Sequence, residues 1–239
     1  MKQVFSLVDE RISDDCLAAL VEHGFSVIKL PKMATLPPPI ASHTDILSFK
    51  LGDKIFFSEK YFEEFFEALA PLDAEKVTKT KSSQGANYPL DAIFNGLVMG
   101  NKLFCKADTF SKEIISYAVS LGMKIQPVKQ GYPACTTLKI SENAAITSDR
   151  GMARALKNEN ISVLEIENGG ILLPPYEYGF IGGAGAVYGD KVYFFGDIEK
   201  HSDADKILEF IRKHGKSVIS LSQETLRDLG GILFIEEDI

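Results

Sequence analysis

Leu47-Ser-Phe-Lys-Leu-Gly-Asp-Lys-Ile-Phe-Phe57 runs directly into Ser58-Glu-Lys-Tyr-Phe-Glu-Glu-Phe-Phe-Glu-Ala-Leu69. The first segment is two β-rich runs around a Gly-Asp tip, where glycine supplies the positive φ of a tight hairpin. The second opens on a serine cap and repeats apolar residues at helical spacing, so it reads as an amphipathic helix. Three more hairpins follow, at 93–104 around Gly100-Asn101, 137–147 around Glu142-Asn143 and 184–195 around Gly189-Asp190. From Gly52 onward the tips are about 48, 42 and 47 residues apart, within the range of propeller-like periods. Capped helices follow at 108–121, 148–157 and 202–214, and β-branched strands come after them, as at 162–166 and 217–221.

The N-terminus supplies only part of this unit: a strand at 3–8, a helix at 13–23 ending at Gly24, and a strand at 25–30. An orphan strand, 230–235, stands at the other end with no helix after it. Pairing it with the first strand completes a fifth unit and removes two exposed sheet edges. The expected fold is therefore α/β, a five-bladed α/β-propeller of ββαβ repeats. Its last blade is closed by the N- and C-terminal strands, and residues 1–239 form one domain. A two-lobed sandwich with linkers at 32–42 and 78–88 leaves the common order inside every repeat unexplained.

The 239 residues are 45% hydrophobic and 25% charged, enough for a substantial core, with a formal net charge of −7. That balance, without a basic stripe, argues against a nucleic-acid partner. The longest apolar runs are too short for a membrane span and no signal peptide opens the chain, so a cytoplasmic protein is expected. Cys16, Cys105 and Cys135 are an odd number at wide spacing, which fits a reduced compartment better than a disulfide framework. The four histidines have no zinc spacing, and Gly182-Gly-Ala-Gly185 opens a strand rather than a helix, against a dinucleotide fingerprint. Neither cofactor nor metal is expected, and the oligomeric state is left open.

In a ring of such units, residues just ahead of each hairpin converge on the axis. They read Ser42-His-Thr-Asp45, Tyr88-Pro-Leu-Asp91, Gly131-Tyr-Pro-Ala-Cys135, Gly179-Phe-Ile-Gly-Gly183 and Leu229-Gly-Gly231. A cysteine nucleophile needs a lowered pKa or an adjacent base, which His43 can be for Cys135. Asp45 and Asp91 suit a planar cation held by paired charge-assisted hydrogen bonds. The set is coherent for a small guanidinium or amidinium substrate. Each member has a structural alternative: Cys135 a buried thiol, Asp45 a turn cap, Asp91 a loop holder, Asn95 a pocket wall. Cys16 and Cys105 read as packing residues, His23 and His214 as helix C-terminal residues, and His201 as a solvated loop residue.

His43-Thr44-Asp45 resembles the His-x-Asp motif of arginine and agmatine deiminases. Ala134-Cys135-Thr136-Thr137-Leu138-Lys139-Ile140 is similar to the nucleophile strand of dimethylarginine dimethylaminohydrolase. The resemblance is to the pentein superfamily of guanidino-modifying enzymes, including an uncharacterised bacterial family of this fold. It implies a cysteine-dependent hydrolase or amidinotransferase with Cys135 as nucleophile and His43 as acid/base. In that enzyme the cysteine lies two blades after the histidine, and 43 to 135 is about two of the periods above. The family pattern also implies an acidic pair where this chain has Gly182-Gly183. Either Asp45 and Asp91 take over its role, or the glycines make room for a larger group or for backbone contacts to the ligand. The other reading is a non-catalytic binding or assembly protein, like the ribosome anti-association factor of this fold.

Overall fold

The structure, a computed structural model, describes residues 2–238. Met1 and Ile239, the ends of the expected domain, lie outside the described residues. Five three-stranded sheets follow one plan, in which the middle strand pairs antiparallel with one neighbour and parallel with the other across a helix. In chain order the first four are Ser48–Leu51, Lys54–Ser58 and Val77–Thr80; Leu97–Met99, Lys102–Cys105 and Lys124–Pro127; Thr137–Ser141, Ala144–Thr147 and Ser162–Glu165; and Gly185–Tyr188, Lys191–Phe194 and Ser217–Ser220. In the fifth, Lys2–Asp9 lies between Leu233–Asp238, antiparallel with Phe5 opposite Ile235, and the parallel strand Ser26–Leu30.

Four of the crossover helices begin where side chains cap them, while Ala204–Lys213 has no side-chain cap. Ser13, Ser58 and Ser111 accept hydrogen bonds from the backbone N–H groups of Cys16, Tyr61 and Ile114, and Asp149 accepts one from Met152, relieving first-turn donors. The helix expected over 58–69 is broken into Glu59–Glu64 and Phe66–Leu69. Phe65 leaves helical backbone there (φ −119°, ψ 29°), its ring 4.8 Å from that of Tyr61.

Each crossover helix is buried between its own sheet and one neighbour. Leu20 of Asp14–Glu22 joins Val8 and Phe25 of the fifth unit to Tyr193 of the fourth sheet. Tyr61 joins Phe57 of the first sheet to Leu7 and Ile235 of the fifth. Ile114 of Lys112–Ser120 bridges the first and second sheets through Phe56 and Leu103. Met152 of Arg150–Asn158 bridges the second and third through Met99 and Ala145. Ile207 of Ala204–Lys213 bridges the third and fourth through Ile146 and Phe194. The segment 32–42, a linker in the two-lobed reading, instead buries Met33, Leu36 and Ile40 in the core.

The structure adds a two-stranded parallel sheet, Ile171–Leu172 with Leu226–Arg227, to the five expected units. Among the described residues no helix is long and apolar enough to cross a membrane.

Ile235 is buried opposite Phe5, so Ile235→Ala is expected to cost about 2–5 kcal/mol. Val21→Ala, on an exposed helix position, should change stability by less than about 0.5 kcal/mol. Urea unfolding measures both, and equally small effects would show that the pairing of first and last strands carries little stability.

Candidate functional site

Two single helical turns, Thr44–Leu47 and Pro133–Thr136, stand immediately before the first strands of the first and third sheets. His43 precedes one turn and Asp45 lies within it, while Cys135 lies in the other. The Cys135 sulfur, a His43 ring nitrogen and an Asp45 carboxyl oxygen all lie within 4.8 Å of one another. Sequence-distant groups have thus been brought to one point.

Asn95 clips the two turns together. Its Oδ1 accepts from the backbone N–H groups of Ala134 (2.8 Å) and Cys135 (3.4 Å), and its Nδ2 donates to the Asp45 carbonyl (3.3 Å). It is fully buried and does not belong to the cavity lining, where the sequence had placed it. Asp91 is also outside that lining. Its Oδ2 accepts a 2.7 Å hydrogen bond from the Tyr132 hydroxyl, so Asp91 orients a wall residue.

Two carboxylates missed from the sequence face His43. Asp228 Oδ1 lies 3.8 Å from Nδ1 and Asp9 Oδ2 lies 4.0 Å from Nε2, and neither ring nitrogen makes a hydrogen bond. Asp9 is neutralised by Arg11, which donates to both of its oxygens (2.9 and 2.5 Å), and it also accepts from Ser42 Oγ (2.8 Å). Asp228 is held by the backbone N–H groups of Phe180 (2.8 Å) and Gly230 (3.1 Å). The legible signal for Asp228 was its place one residue ahead of Leu229-Gly-Gly231, the fifth pre-strand segment. Asp9 carried none beyond ending a strand.

The glycine pair does not open room. A Cβ on Gly182 would stand 2.0 Å from the Ala134 carbonyl oxygen, and one on Gly183 1.8 Å from Asp228 Oδ1. Both are close backbone approaches that leave no space for a side chain. The Gly183 N–H donates to the Cys135 carbonyl (3.0 Å), tying the fourth unit to the cysteine turn.

A cavity of about 450 Å³ is lined by His43, Cys135 and Asp228 and walled by aromatic side chains including Tyr88, Tyr132 and Tyr176. Asp45 lies behind it, facing a separate groove lined by residues from the antiparallel edge strand of every three-stranded sheet. Phe180 belongs to the marked segment Gly179-Phe-Ile-Gly-Gly183, whereas Tyr176 and Tyr178 just ahead of it were not marked in the sequence as part of the site.

Burial dominates the electrostatics. It pushes the Cys135 thiol well above its ordinary value, reinforced by Asp45 and Asp228. It raises the Asp45 carboxyl to about 8, with Asp228 adding to the shift, although Asp45 as a residue is only partly buried. Asp228 is raised by the same cause. His43 is lowered by burial against the opposing pull of Asp228 and Asp9. At neutral pH the cluster therefore rests as thiol, imidazole and a largely protonated Asp45, rather than as the thiolate expected of an activated cysteine. One imidazole, one thiol and one carboxyl at this spacing could also hold a soft divalent ion, an arrangement that histidine spacing alone did not reveal.

The remaining cysteines and histidines are structural. Cys16 and Cys105 are buried in core clusters, and burial raises the Cys105 thiol to about 12. His23 and His214 end helices, as expected. His201 is buried, contrary to expectation, because its Nδ1 accepts from the Asp203 N–H (3.0 Å) while its ring packs on Gly170.

The chain belongs to a family of unknown function (DUF6873), whose model matches residues 7–233. No curated protein matches it in sequence. In structure it is similar to dimethylarginine dimethylaminohydrolase from Pseudomonas aeruginosa in complex with citrulline, at TM-score 0.62 and 11% identity over 98% of each chain. It is also similar to agmatine deiminase from C. jejuni, at TM-score 0.54 and 8% identity over 93% of this chain and 91% of that one. Inosamine-phosphate amidinotransferase from Streptomyces griseus matches at TM-score 0.53 and 15% identity over 90% of this chain and 74% of that one. The fold is that of the pentein superfamily.

Because the folded chain holds the Asp45 proton up to about pH 8 and an unfolded carboxyl releases it near pH 4, stability should fall progressively as pH rises between those values. Asp45→Asn is expected to melt above the wild type at pH 9, with the gap shrinking towards pH 4. Thermal melts across that range check the sign; a gap independent of pH would overturn it.

Proposed function

We propose that the five sheets close into a five-bladed ring within one domain, and that the chain is a cysteine-dependent hydrolase or amidinotransferase acting on a guanidino or related C–N group of a small molecule. Two features support the ring: the core clusters join each three-stranded sheet to the one before it and the first to the fifth, and one groove is lined by the antiparallel edge strand of every three-stranded sheet. The observation that carries the activity is the convergence of Cys135, His43 and Asp45 within 4.8 Å beside a cavity that Cys135, His43 and Asp228 line. The relatives of this fold act on compounds of the same kind, by their names a dimethylarginine, agmatine and an amidino-group acceptor.

In this reading the substrate itself activates the site. A guanidinium brings a positive charge into a buried cluster of acids, which favours the ionised forms of Asp228, Asp45 and Cys135. Asp228 grips the cation in the cavity, and Asp45 stabilises it from behind the cysteine. Asn95 and the Gly182-Gly183 approach hold the cysteine turn, and Asp91 acts through Tyr132. The Cys135 sulfur bonds to the central carbon while His43 passes the thiol proton to the departing nitrogen, breaking the C–N bond and releasing an amine or ammonia. His43 then takes a proton from water, whose oxygen bonds to the carbon as the C–S bond breaks and the proton returns to sulfur. In group transfer an acceptor amine replaces water.

Alkyl and aryl guanidines are to be screened for release of ammonia, amine or urea, with Cys135→Ala and His43→Ala as controls. Each substitution should lower kcat by a factor of about 10² or more, and undiminished turnover by Cys135→Ala would refute the mechanism. A cationic haloacetamidine should alkylate Cys135 much faster than the neutral haloacetamide of the same shape, while Cys16 and Cys105 show no such preference. Equal rates at Cys135 would show that a cation does not raise its reactivity.

A further inference from the structure

The wall of the cavity carries a chemical preference that its floor does not. Tyr88, Tyr132, Tyr176, Tyr178 and Phe180 line it, together with Glu177. No lysine or arginine is among the described residues of the lining. Arg11, which reaches the floor only through Asp9, is already committed to Asp9 and to the Pro39 carbonyl.

The wall is built rather than incidental. The Tyr88 and Tyr132 rings are 5.5 Å apart, with Tyr132 fixed through its hydroxyl to buried Asp91. Tyr178 and Phe180 meet edge to face at 6.3 Å. The segment that carries Tyr176 to Phe180 is tied to the floor: the Asp228 N–H donates to the Leu172 carbonyl (3.0 Å), and Asp228 Oδ2 accepts from the Phe180 N–H (2.8 Å). Tyr176 is more than half exposed and its N–H closes a turn on the Leu173 carbonyl (2.8 Å). One residue, Asp228, thus fixes both the reactive floor and the segment that meets the far end of a ligand.

A substrate of the α-amino-acid type would bring a carboxylate into this space. It would find aromatic faces, Glu177 and Asp228, with no cationic side chain to balance it, and would lose its water. An ammonium group meets the opposite situation, since aromatic faces and a carboxylate both attract it. We propose that the cavity selects guanidines whose far end is an amine cation and rejects those ending in a carboxylate, with Tyr88, Tyr132, Tyr176, Tyr178 and Glu177 as the selecting groups. This rests on the guanidine reading above.

The test uses a matched set of probes: 4-aminobutylguanidine, n-pentylguanidine and 4-guanidinobutanoate. Calorimetry measures their binding to the full-length Cys135→Ser chain, and turnover by the wild type gives the same ranking as kcat/KM if that variant fails to fold. The amine probe should bind about tenfold or more tighter than the pentyl probe, and the carboxylate probe should be weakest. Glu177→Gln, a change at an exposed position, should narrow the gap between amine and pentyl probes while leaving pentyl binding unchanged. If the carboxylate probe binds as tightly as the amine probe, the selectivity is refuted and the guanidine reading stands. If the pentyl and amine probes bind alike, the wall is merely apolar and the role of Glu177 falls. If a folded protein neither binds nor turns over any of the three, the guanidine reading itself fails and this inference with it.

Discussion

The antiparallel pairing of Lys2–Asp9 with Leu233–Asp238 is the constraint on which the rest of the molecule depends. It leaves Lys2–Asp9 paired on both sides as the middle strand of its sheet rather than as a bare edge. It also carries Asp9, the last residue of one strand, and Asp228-Leu-Gly-Gly231, which leads into the other, to opposite sides of the His43 ring. The first and last segments of the chain are therefore structural and chemical at once. Gly230 shows how tightly they meet: at φ +71° its Cα sits where a Cβ would be 2.5 Å from that of His43.

Around that closure the site's own groups are arranged to avoid charge. Three aspartates, a histidine and a cysteine share a small buried volume, and only Asp9 has a full cationic partner. The others respond by shifting towards their neutral forms, as buried ionisable groups do when no counter-charge is present. In the proposed function the missing charge is the substrate's own, so affinity and nucleophilicity rise together. The aromatic wall extends the same logic outward, since it too contains no cation.

Much of the fold was legible because hairpin tips, serine caps and amphipathic helices recur with one period, and because 230–235 had no partner nearby in sequence. The convergence of His43, Asp45 and Cys135 followed from their equivalent places ahead of hairpins. The rest was not read from the sequence. Asp9 approaches His43 only through the closure of the first and last strands and carried no pattern, while Asp228 stood one residue ahead of a marked segment without a motif to single it out. The environment of Gly182-Gly183 depends on what another segment presses against it, which sequence does not report. The thiol's raised pKa is set by burial across several elements, whereas the Cys-His pairing alone suggested activation. The stretch 171–178 broke no rule and repeated no motif, so nothing in it distinguished a cavity wall from a surface loop, although it leads into the marked segment at Gly179.

The pairing of Lys2–Asp9 with Leu233–Asp238 joins residues some 230 positions apart, and contacts of such high sequence separation are the slow ones to form. A ribosome releases the chain N-terminus first, so the first strand must wait for its partner until residues 233–238 have been made. His43 and Cys135 will have been made long before Asp228 and its glycines arrive beside them. A nascent or C-terminally clipped chain would then keep its cysteine without the acid and the wall that depend on the closing segment. The reactive centre thus comes together only once the closing segment has been made, which ties the appearance of its chemistry to closure of its fold.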